Sequence, residues 1–510
     1  MQSTLTKGSA TPEATITVEF KPVKIKISAE NLTLEALEEM IFDIRQESGK
    51  TAFVNALSQY DEALRKARPR GKLKNIRKKT KYLQTRVGDI QYSRTLYKER
   101  VTNKPRYLLD EALKIDINQR MSLKMAQLMG SLASASPYRE VEESLSKLLG
   151  ISWSHEAIRQ NVIREGKRIE KREKEEHKQV KNLDYDIPEE QPETVYNEVD
   201  ATYIRKQNKG PSGVLRTSFS RRKRGRKKRH LEVKVGIGYT GKEPRYNKGK
   251  RQTKKLSQKI VYTDIRAKRH EFLDRFSCLS EKVFGTSLAK KSYLGGDGDS
   301  WIREGKKEHF GNSEYLLCPF HLFRNLRRAL PGKKKIHKKL KELFEKNKID
   351  KVLSRLKRMM KMIRSQKLKK KIVEFYVYVK NNRQGIEASI RIRMDKATMS
   401  AGAVEPNIDK VIAHRFKGRG MSWSEDGAQA LLKIRQTIIN GQWDNWWYKE
   451  RDKKIEIKAI FKEPITATQM CKKRNITPYI EAELPCYKGP DQSKPWVGVL
   501  CELTRARQLS

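Results

Sequence analysis

The chain is poor in cysteine, poor in acids relative to bases, and without any long apolar run. No stretch approaches the roughly 20 apolar residues of a transmembrane helix, which excludes a helical membrane span. The five cysteines, Cys278, Cys318, Cys471, Cys486 and Cys501, are scattered and odd in number. That excludes a disulfide framework and points to a reducing, cytoplasmic setting. The opening residues MQSTLTKGSATPEATITVEF lack a basic head followed by an apolar run, so no secretory signal is expected. Hydrophobic residues make up 37% of the 510, enough for a core but not a generous one. The length suits about two to four domains.

What is present in excess is positive charge. Lysine and arginine number 112 against 61 aspartates and glutamates, a net charge of +51. Such an excess repels itself in a compact chain unless a polyanion is near. Nucleic acid is the expected partner, because each neutralised phosphate releases counterions. Nothing resembles a lipid anchor, so no membrane partner is expected, and the nucleoid is the expected place in the cytoplasm.

Residues 1–30 read as a flexible leader with one short strand at TITVEF. Residues 31–120 read as a helix plus a basic β-hairpin. Leu34, Leu37, Ile41 and Ile44, then Phe53, Leu57, Tyr60 and Leu64, keep helical spacing, and the alternation around Gly88-Asp89 suits a hairpin. Its bases either contact phosphates or form a solvated sheet face. Residues 121–185 read as three helices broken at SASPYRE and LLGISWSHE. Gly150 would end one helix and Ser152 or Ser154 cap the next, the small-residue turn of a helix-turn-helix. The second helix would present His155, Arg159, Gln160 and Arg164 to base edges or phosphates, although any αα-hairpin shows the same pattern. A charged extension from Glu165 to Lys181 and the linker DYDIPEEQPE place the main boundary near residue 190.

Residues 190–330 change texture. TVYNEVDATYIR, HLEVKVGIGYTG, KIVYTDI, SYLGG and EYLL read as strands, with a helix containing Phe272, Leu273, Phe276 and Leu279 between the third and fourth. This order predicts an α/β fold, a mixed sheet covered by helices. RRKRGRKKR, in which eight of the nine residues 221–229 are basic, would be an exposed loop contacting phosphates through Arg221, Arg222, Arg224, Lys227 and Arg229. Residues 331–395 read as a helical insertion of two or three helices with basic outer faces. Residues 396–440 complete the core, and 441–510 are a C-terminal extension. Trp443, Trp446 and Trp447 either stack on bases or close a small core, and the core is the expectation.

Asp200 lies inside an apolar strand, where a carboxylate is expensive to bury unless its charge is offset. Asp297 follows SYLGG, and Glu405 opens a later helix in SAGAVEPNIDKVIAHRFKGRGMSW. Three such carboxylates suit the hard, oxygen-seeking Mg²⁺ ion, but 61 acids offer many triples and spacing alone does not select this one. The series EVDATY, GGDGDSW, CPFH and SAGAVEPNID…HRFKGRGMSW resembles the DDE transposases with an RNase H-like catalytic domain. More narrowly it is similar to the Mutator-like superfamily and the ISLre group of prokaryotic insertion sequences, over roughly residues 35 to 435. The resemblance implies an RNase H-like mixed sheet with a helical insertion, preceded by a mainly helical DNA-binding region with a helix-turn-helix and a basic β-hairpin. It implies Asp200, Asp297 and Glu405 as ligands of two Mg²⁺ (or Mn²⁺) ions, with Asp299 the local rival of Asp297, and Glu387 and Glu425 the rivals of Glu405. His321 would neighbour the reacting phosphate, with Cys318, Trp423, Asn407 and Arg415 in support. The implied activity is binding of the element's terminal inverted repeats in double-stranded DNA, strand cleavage, and joining of the 3′-hydroxyl ends to target DNA, by a homodimer or larger assembly. The competing readings are an RNase H-like nuclease or resolvase that cuts without joining, a domesticated transposase that only binds DNA, and a basic RNA-binding protein. Cys318-x-x-His321 also suggests half a zinc site, but no second pair stands at ligand spacing.

Overall fold

The computed structural model describes Ile16 and residues 33–68, 71–150, 152–207, 230–245, 253–394, 402–418 and 420–449. The leader of residues 1–30 (Ile16 apart), the basic run 221–229 and the extension beyond residue 449 lie outside the described residues. The chain divides into a unit of Met1–Trp447, which holds every described strand, and a second of Tyr448–Ser510.

Thr33 caps α1 (Leu34–Ala67) by accepting a hydrogen bond from the Ala36 amide. Leu57 and Leu64 are buried, whereas Leu34 and Ile41, on the same periodic face, are exposed. The helix lies against the hairpin of β1 (Leu73–Thr85) and β2 (Gly88–Glu99), which β3 (Pro105–Arg106) extends. Gly88 adopts φ 114° at the reversal, a conformation that only glycine reaches cheaply. Buried Lys81 and Arg94 close on Asp110 of α2 (Leu108–Ala112). By contrast Lys74 to Thr80 are all exposed, so both faces of that half-strand are open.

Next come α3 (Leu123–Ala135), α4 (Tyr138–Leu149) and α5 (His155–Lys181). Gly150 ends α4 at φ 60°, and Ser154 rather than Ser152 caps α5. The boundary expected near residue 190 is not a break in packing. Met125, Met129, Ile158, Val162 and Ile169 share one apolar cluster with Val233, Val235 and Ile237 of the central sheet.

That sheet is built from β4 (Thr194–Arg205), β5 (His230–Tyr239), β8 (Ile260–Asp264), β9 (Lys291–Gly296) and β10 (Glu314–Leu317) in the order β10-β9-β4-β5-β8. β10, β9 and β4 run parallel, and β5 and β8 alternate against them, so the sheet is mixed. β6 (Gly241–Arg245) and β7 (Thr253–Ser257) form a separate ribbon that the alternation pattern does not reveal. α6 (Arg269–Phe284) and α7 (Ser300–His309) bury Phe272, Phe276, Phe284 and Ile302 on one face of the sheet, against Val195, Val199 and Leu294. Gly236 and Gly238 admit the Phe276 and Phe284 rings to within 3 Å of where a Cβ would stand.

After α8 (Pro319–Ala329) the insertion holds three helices over the periodic stretch 336–379, as expected, α9 (Lys334–Glu345), α10 (Ile349–Met362) and α11 (Gln366–Asn381), and adds a fourth beyond it, α12 (Arg383–Met394). Its breaks are too short and too free of glycine and proline to stand out, with Asn347 in a left-handed turn and Ser365 capping α11. α12 returns to the sheet, where Ser389 donates to the Leu317 carbonyl of β10. The chain then forms α13 (Val404–Ile408), a π-helical turn (Asp409–Ala413), α14 (His414–Phe416), α15 (Glu425–Ile439) and α16 (Trp443–Lys449).

α15 covers the sheet edge at β8. Gln429, Gln436 and Asn440, on one helix face, accept from the backbone amides of Ile265, Thr263 and Val261. These side chains satisfy strand groups that would otherwise offer an edge for pairing. On its other side α15 packs on α5 so closely that a Cβ on Gly166 would stand 2.4 Å from the Ala430 Cα. Gly166→Ala gains about 1 kcal/mol of helix propensity but forces that overlap. A net loss of about 1–3 kcal/mol is expected in urea unfolding. Trp443, Trp446 and Trp447 are buried, and the Trp443 indole donates to Ser131, so the cluster closes a core. Among the described residues no helix is long and apolar enough to cross a membrane.

Candidate active site

β4 lies between β9 and β5, and Asp200 sits in its buried half. The carboxylate accepts one hydrogen bond, from the amide of Ala201. Burial pushes its pKa up to about 7, and the neighbouring charges of Asp297 and Glu405 act in the same direction. Asp297 follows β9, the next strand, and accepts from the Asp299 amide. Its pKa is also raised, by burial first and then by Asp299. Of the two aspartates in that loop, Asp297 is the one whose charge bears on Asp200. Asp299 is the residue before α7. Glu405 lies in the first turn of α13, with its carboxylate 40% exposed.

His321 joins this group from α8. Its Nε2 lies 3.7 Å from Asp200 Oδ2 and 3.9 Å from Glu405 Oε2, too far for hydrogen bonds. The ring is 2% exposed, and among the described residues its Nδ1 has no partner. Burial, reinforced by Arg324 and Arg328, lowers its pKa to about 4, so the ring is neutral near pH 7 and keeps a lone pair. Donor atoms of Asp200, His321 and Glu405 all lie within 4.8 Å of one another. The grouping therefore brings together Asp200, Glu405 and His321, with Asp297 beside them.

The supporting residues are distributed differently from expectation. Cys318 is buried at the corner where β10 becomes α8, its amide bonded to the Gly296 carbonyl and its thiol pushed up to about 11 by burial. It packs the corner. Asn407 lies near Glu405 in sequence, but its side chain spans the Ala403 carbonyl and Lys259. Arg415 donates to the Ala133 carbonyl of α3, between the rings of Tyr138 and Trp423. Trp423 donates to the Phe416 carbonyl, and its backbone pairs with Arg205 and Gln207 beyond the end of β4. Arg415 and Trp423 thus fasten the carboxyl-terminal segment to α3 and β4 and touch none of the carboxylates. Glu387 is engaged by Arg383, and Glu425 by Lys206 and Arg266.

Two holding arrangements carry no mark in the sequence. Glu198, two residues before Asp200 and 2% exposed, accepts from the amides of Gly402, Ala403 and Val404 and from the Tyr239 hydroxyl. It ties down the start of the helix that carries Glu405. The second is made by α11 of the insertion. The Tyr378 hydroxyl donates to the Asp297 carbonyl at 2.7 Å, and the Asn382 amide donates to the Gly298 carbonyl. Gly298, at φ 97°, sits under the Tyr378 ring, where a Cβ would come within 2.6 Å. Tyr378→Phe removes one hydroxyl that orients a ligand candidate. Its Mn²⁺ affinity is expected to fall about tenfold by calorimetric titration, the low end for such supporting groups, with the thermal midpoint little changed.

Of the expected DNA contacts on α5, Gln160 and Arg164 are exposed and Arg159 half-exposed. Glu156 engages both Arg159 and Gln160, and Arg164 reaches Asn161 and Glu165. His155 is bonded to Glu142 of α4. Arg221, Arg222, Arg224, Lys227 and Arg229 lie outside the described residues.

Comparison with known proteins yields relatives from Caldanaerobacter subterraneus subsp. tengcongensis, all called UPF0236 proteins. One is 25% identical over 412 residues, covering 80% of this chain and 79% of its own length. Two others are each 24% identical over 414 residues, again covering 80% of this chain and 79% of their own lengths. The name of the first joins eleven locus designations, and that of the third joins four. The sequence profile of the family described as Uncharacterised protein family (UPF0236) matches residues 27–452, most of the chain, which therefore belongs to that family.

Proposed function

We propose that the chain is a DDE-type DNA transposase with an RNase H-like catalytic domain, acting on the ends of its own element. The observation that carries the proposal is the convergence of Asp200, Asp297, Glu405 and neutral His321, from four separated stretches of sequence, on one end of a mixed sheet. Burial holds the Asp200 and Asp297 carboxyls above the usual carboxylate range, a cost that a bound cation offsets. Divalent ions held there would supply the Lewis acidity for an in-line displacement at phosphorus. The donor set fits Mg²⁺ through its oxygens. The unpartnered imidazole favours Mn²⁺ at one position, because imidazole is a softer ligand than carboxylate.

The chain's own residues divide the work. Asp200 and Asp297, on adjacent parallel strands, and Glu405, on α13, would hold the ions. Neutral His321 stands where it can accept a proton or a metal, and its low pKa keeps it from competing as a cation. Glu198 and Tyr378 hold the two outer ligands in place. α4 and α5 would form the helix-turn-helix, and the exposed bases Lys74, Arg77, Lys78 and Lys79 of the hairpin would meet phosphates. The eleven loci joined in one relative's name are what a self-propagating element leaves in a genome.

The test is the purified protein with Mg²⁺ or Mn²⁺ and a plasmid carrying the gene with its native flanks. Strand breaks at inverted repeats, and joined products with 3′ ends in new DNA, are expected. Cleavage without joining would indicate a nuclease. Binding without cleavage would indicate a DNA-binding descendant.

A further inference from the structure

α8 presents His321, Arg324 and Arg328 at intervals of three and four residues, along one face. His321 points between Asp200 and Glu405, and the charge of Arg324 reaches both Asp200 and Asp297. Yet among the described residues Arg324 makes no ion pair with any carboxylate and no hydrogen bond. Its Nε is buried without an acceptor, and its guanidinium rests on the Phe320 ring. Arg415 and Arg435, also drawn into the interior, both donate to backbone carbonyls. A guanidinium held beside two carboxylates without closing on either of them retains its full capacity for another anion.

One turn further along α8, about 6 Å, Arg328 faces a groove of about 610 Å³ between α8 and α11. Asn325, Lys371, Glu374 and Tyr378 also line it. Tyr378 is the residue that bonds the Asp297 carbonyl, so the groove begins at the active-site loop and leads away from it. Resting on the transposase reading, we propose that Arg324 binds the phosphodiester group under attack and that Arg328 and Lys371 hold the next stretch of the same DNA strand in this groove. The spacing of the two arginines is comparable with the step between successive phosphates, and the planar fork of Arg324 suits two oxygens of one phosphate.

The experiment uses the full chain and three readouts: nicking of supercoiled plasmid in Mn²⁺, Mn²⁺ affinity by calorimetry, and the thermal midpoint. Arg324→Gln is expected to lower nicking about 100- to 1000-fold, the range for losing one donor to a developing charge. Mn²⁺ affinity should be unchanged or higher, because a cation beside the ligands has been removed. Arg324→Lys, which keeps the charge but not the fork, should fall between. With Ca²⁺ in place of Mn²⁺, Arg328→Gln/Lys371→Gln should weaken binding of a fluorescein-labelled 12-nucleotide oligothymidylate about tenfold or less. Lys338→Gln/Lys339→Gln, on α9, should change it less than twofold. Nicking and Mn²⁺ affinity that fall together in Arg324→Gln, or nicking within threefold of wild type, would overturn this proposal alone. Equal oligonucleotide binding by the two double variants would remove the groove from it. A wild type that neither binds Mn²⁺ nor nicks DNA would overturn the transposase reading, and this proposal with it.

Discussion

Asp200→Asn should abolish strand cleavage while making the metal-free protein more stable. On the transposase reading, losing a central ligand would remove several kcal/mol of charge stabilisation from the reaction, three or more decades in rate. The stability change has the opposite sign. In the fold the carboxyl titrates at about 7, against 3.8 for its ordinary value. The native state therefore keeps its proton over a range where the unfolded chain has lost it. Stability is fully present below about pH 4 and declines as pH rises toward 7, by an amount on the order of 4 kcal/mol. An asparagine does not ionise, so the variant should gain stability at pH 8 and much less at pH 5, measured by urea unfolding in a chelator. Added Mn²⁺ should stabilise wild type and not the variant. A variant less stable than wild type at pH 8 would mean that the Asp200 charge is already compensated within the protein.

Lys433→Met should be the most damaging single change outside the site. The ammonium is fully buried on α15. It bonds Glu173 of α5 at 2.6 Å and the Thr263 carbonyl of β8, and it lies 3.8 Å from Asp264. Burial works against its charge, but Glu173, Tyr262 and Asp264 outweigh that and hold its pKa above the usual lysine value. Removing it leaves Glu173 without its cation and Asp264 with Arg275 alone, at a cost of about 3–5 kcal/mol. Urea unfolding should show the loss, and Glu173→Gln in the same chain should recover part of it, since the two sites share one interaction. Full additivity of the two changes would mean that the pair does not act as a unit.

Much of the fold is legible in the residues, for identifiable reasons. Alternation reveals β4 and β5, because each buries one continuous row of side chains against helices. Gly150 and Ser154 mark the α4–α5 turn, since a left-handed residue and a capping hydroxyl leave a chemical signature. Other features leave none. β6 and β7 are short and polar. The insertion's four helices meet at turns without glycine or proline. The Lys433–Glu173 pair belongs to segments more than 250 residues apart in sequence, which is why residue 190 reads as a boundary when the packing runs through it. In the site, Asp200, Asp297, Glu405 and His321 stand in short motifs that a family resemblance singles out, although their spacing alone does not. Glu198 does not, because its role is defined by three backbone amides that any sequence could supply. Tyr378 and Asn382 are equally silent within a run of helical residues.

α5 is continuous from His155 to Lys181, with its first turns at the surface and its later ones locked to α15 and α6. Its 27 residues measure about 40 Å, or roughly 12 base pairs of duplex at 3.4 Å each. One unbroken rod thus joins the end that would read DNA to the body that would cut it. On the transposase reading it would act as a ruler, the offset between recognition sequence and cleavage point being set by the length of a helix. Adding one residue to its middle would break the close packing of Gly166 on Ala430, so the offset would be held by the core as well as by the helix.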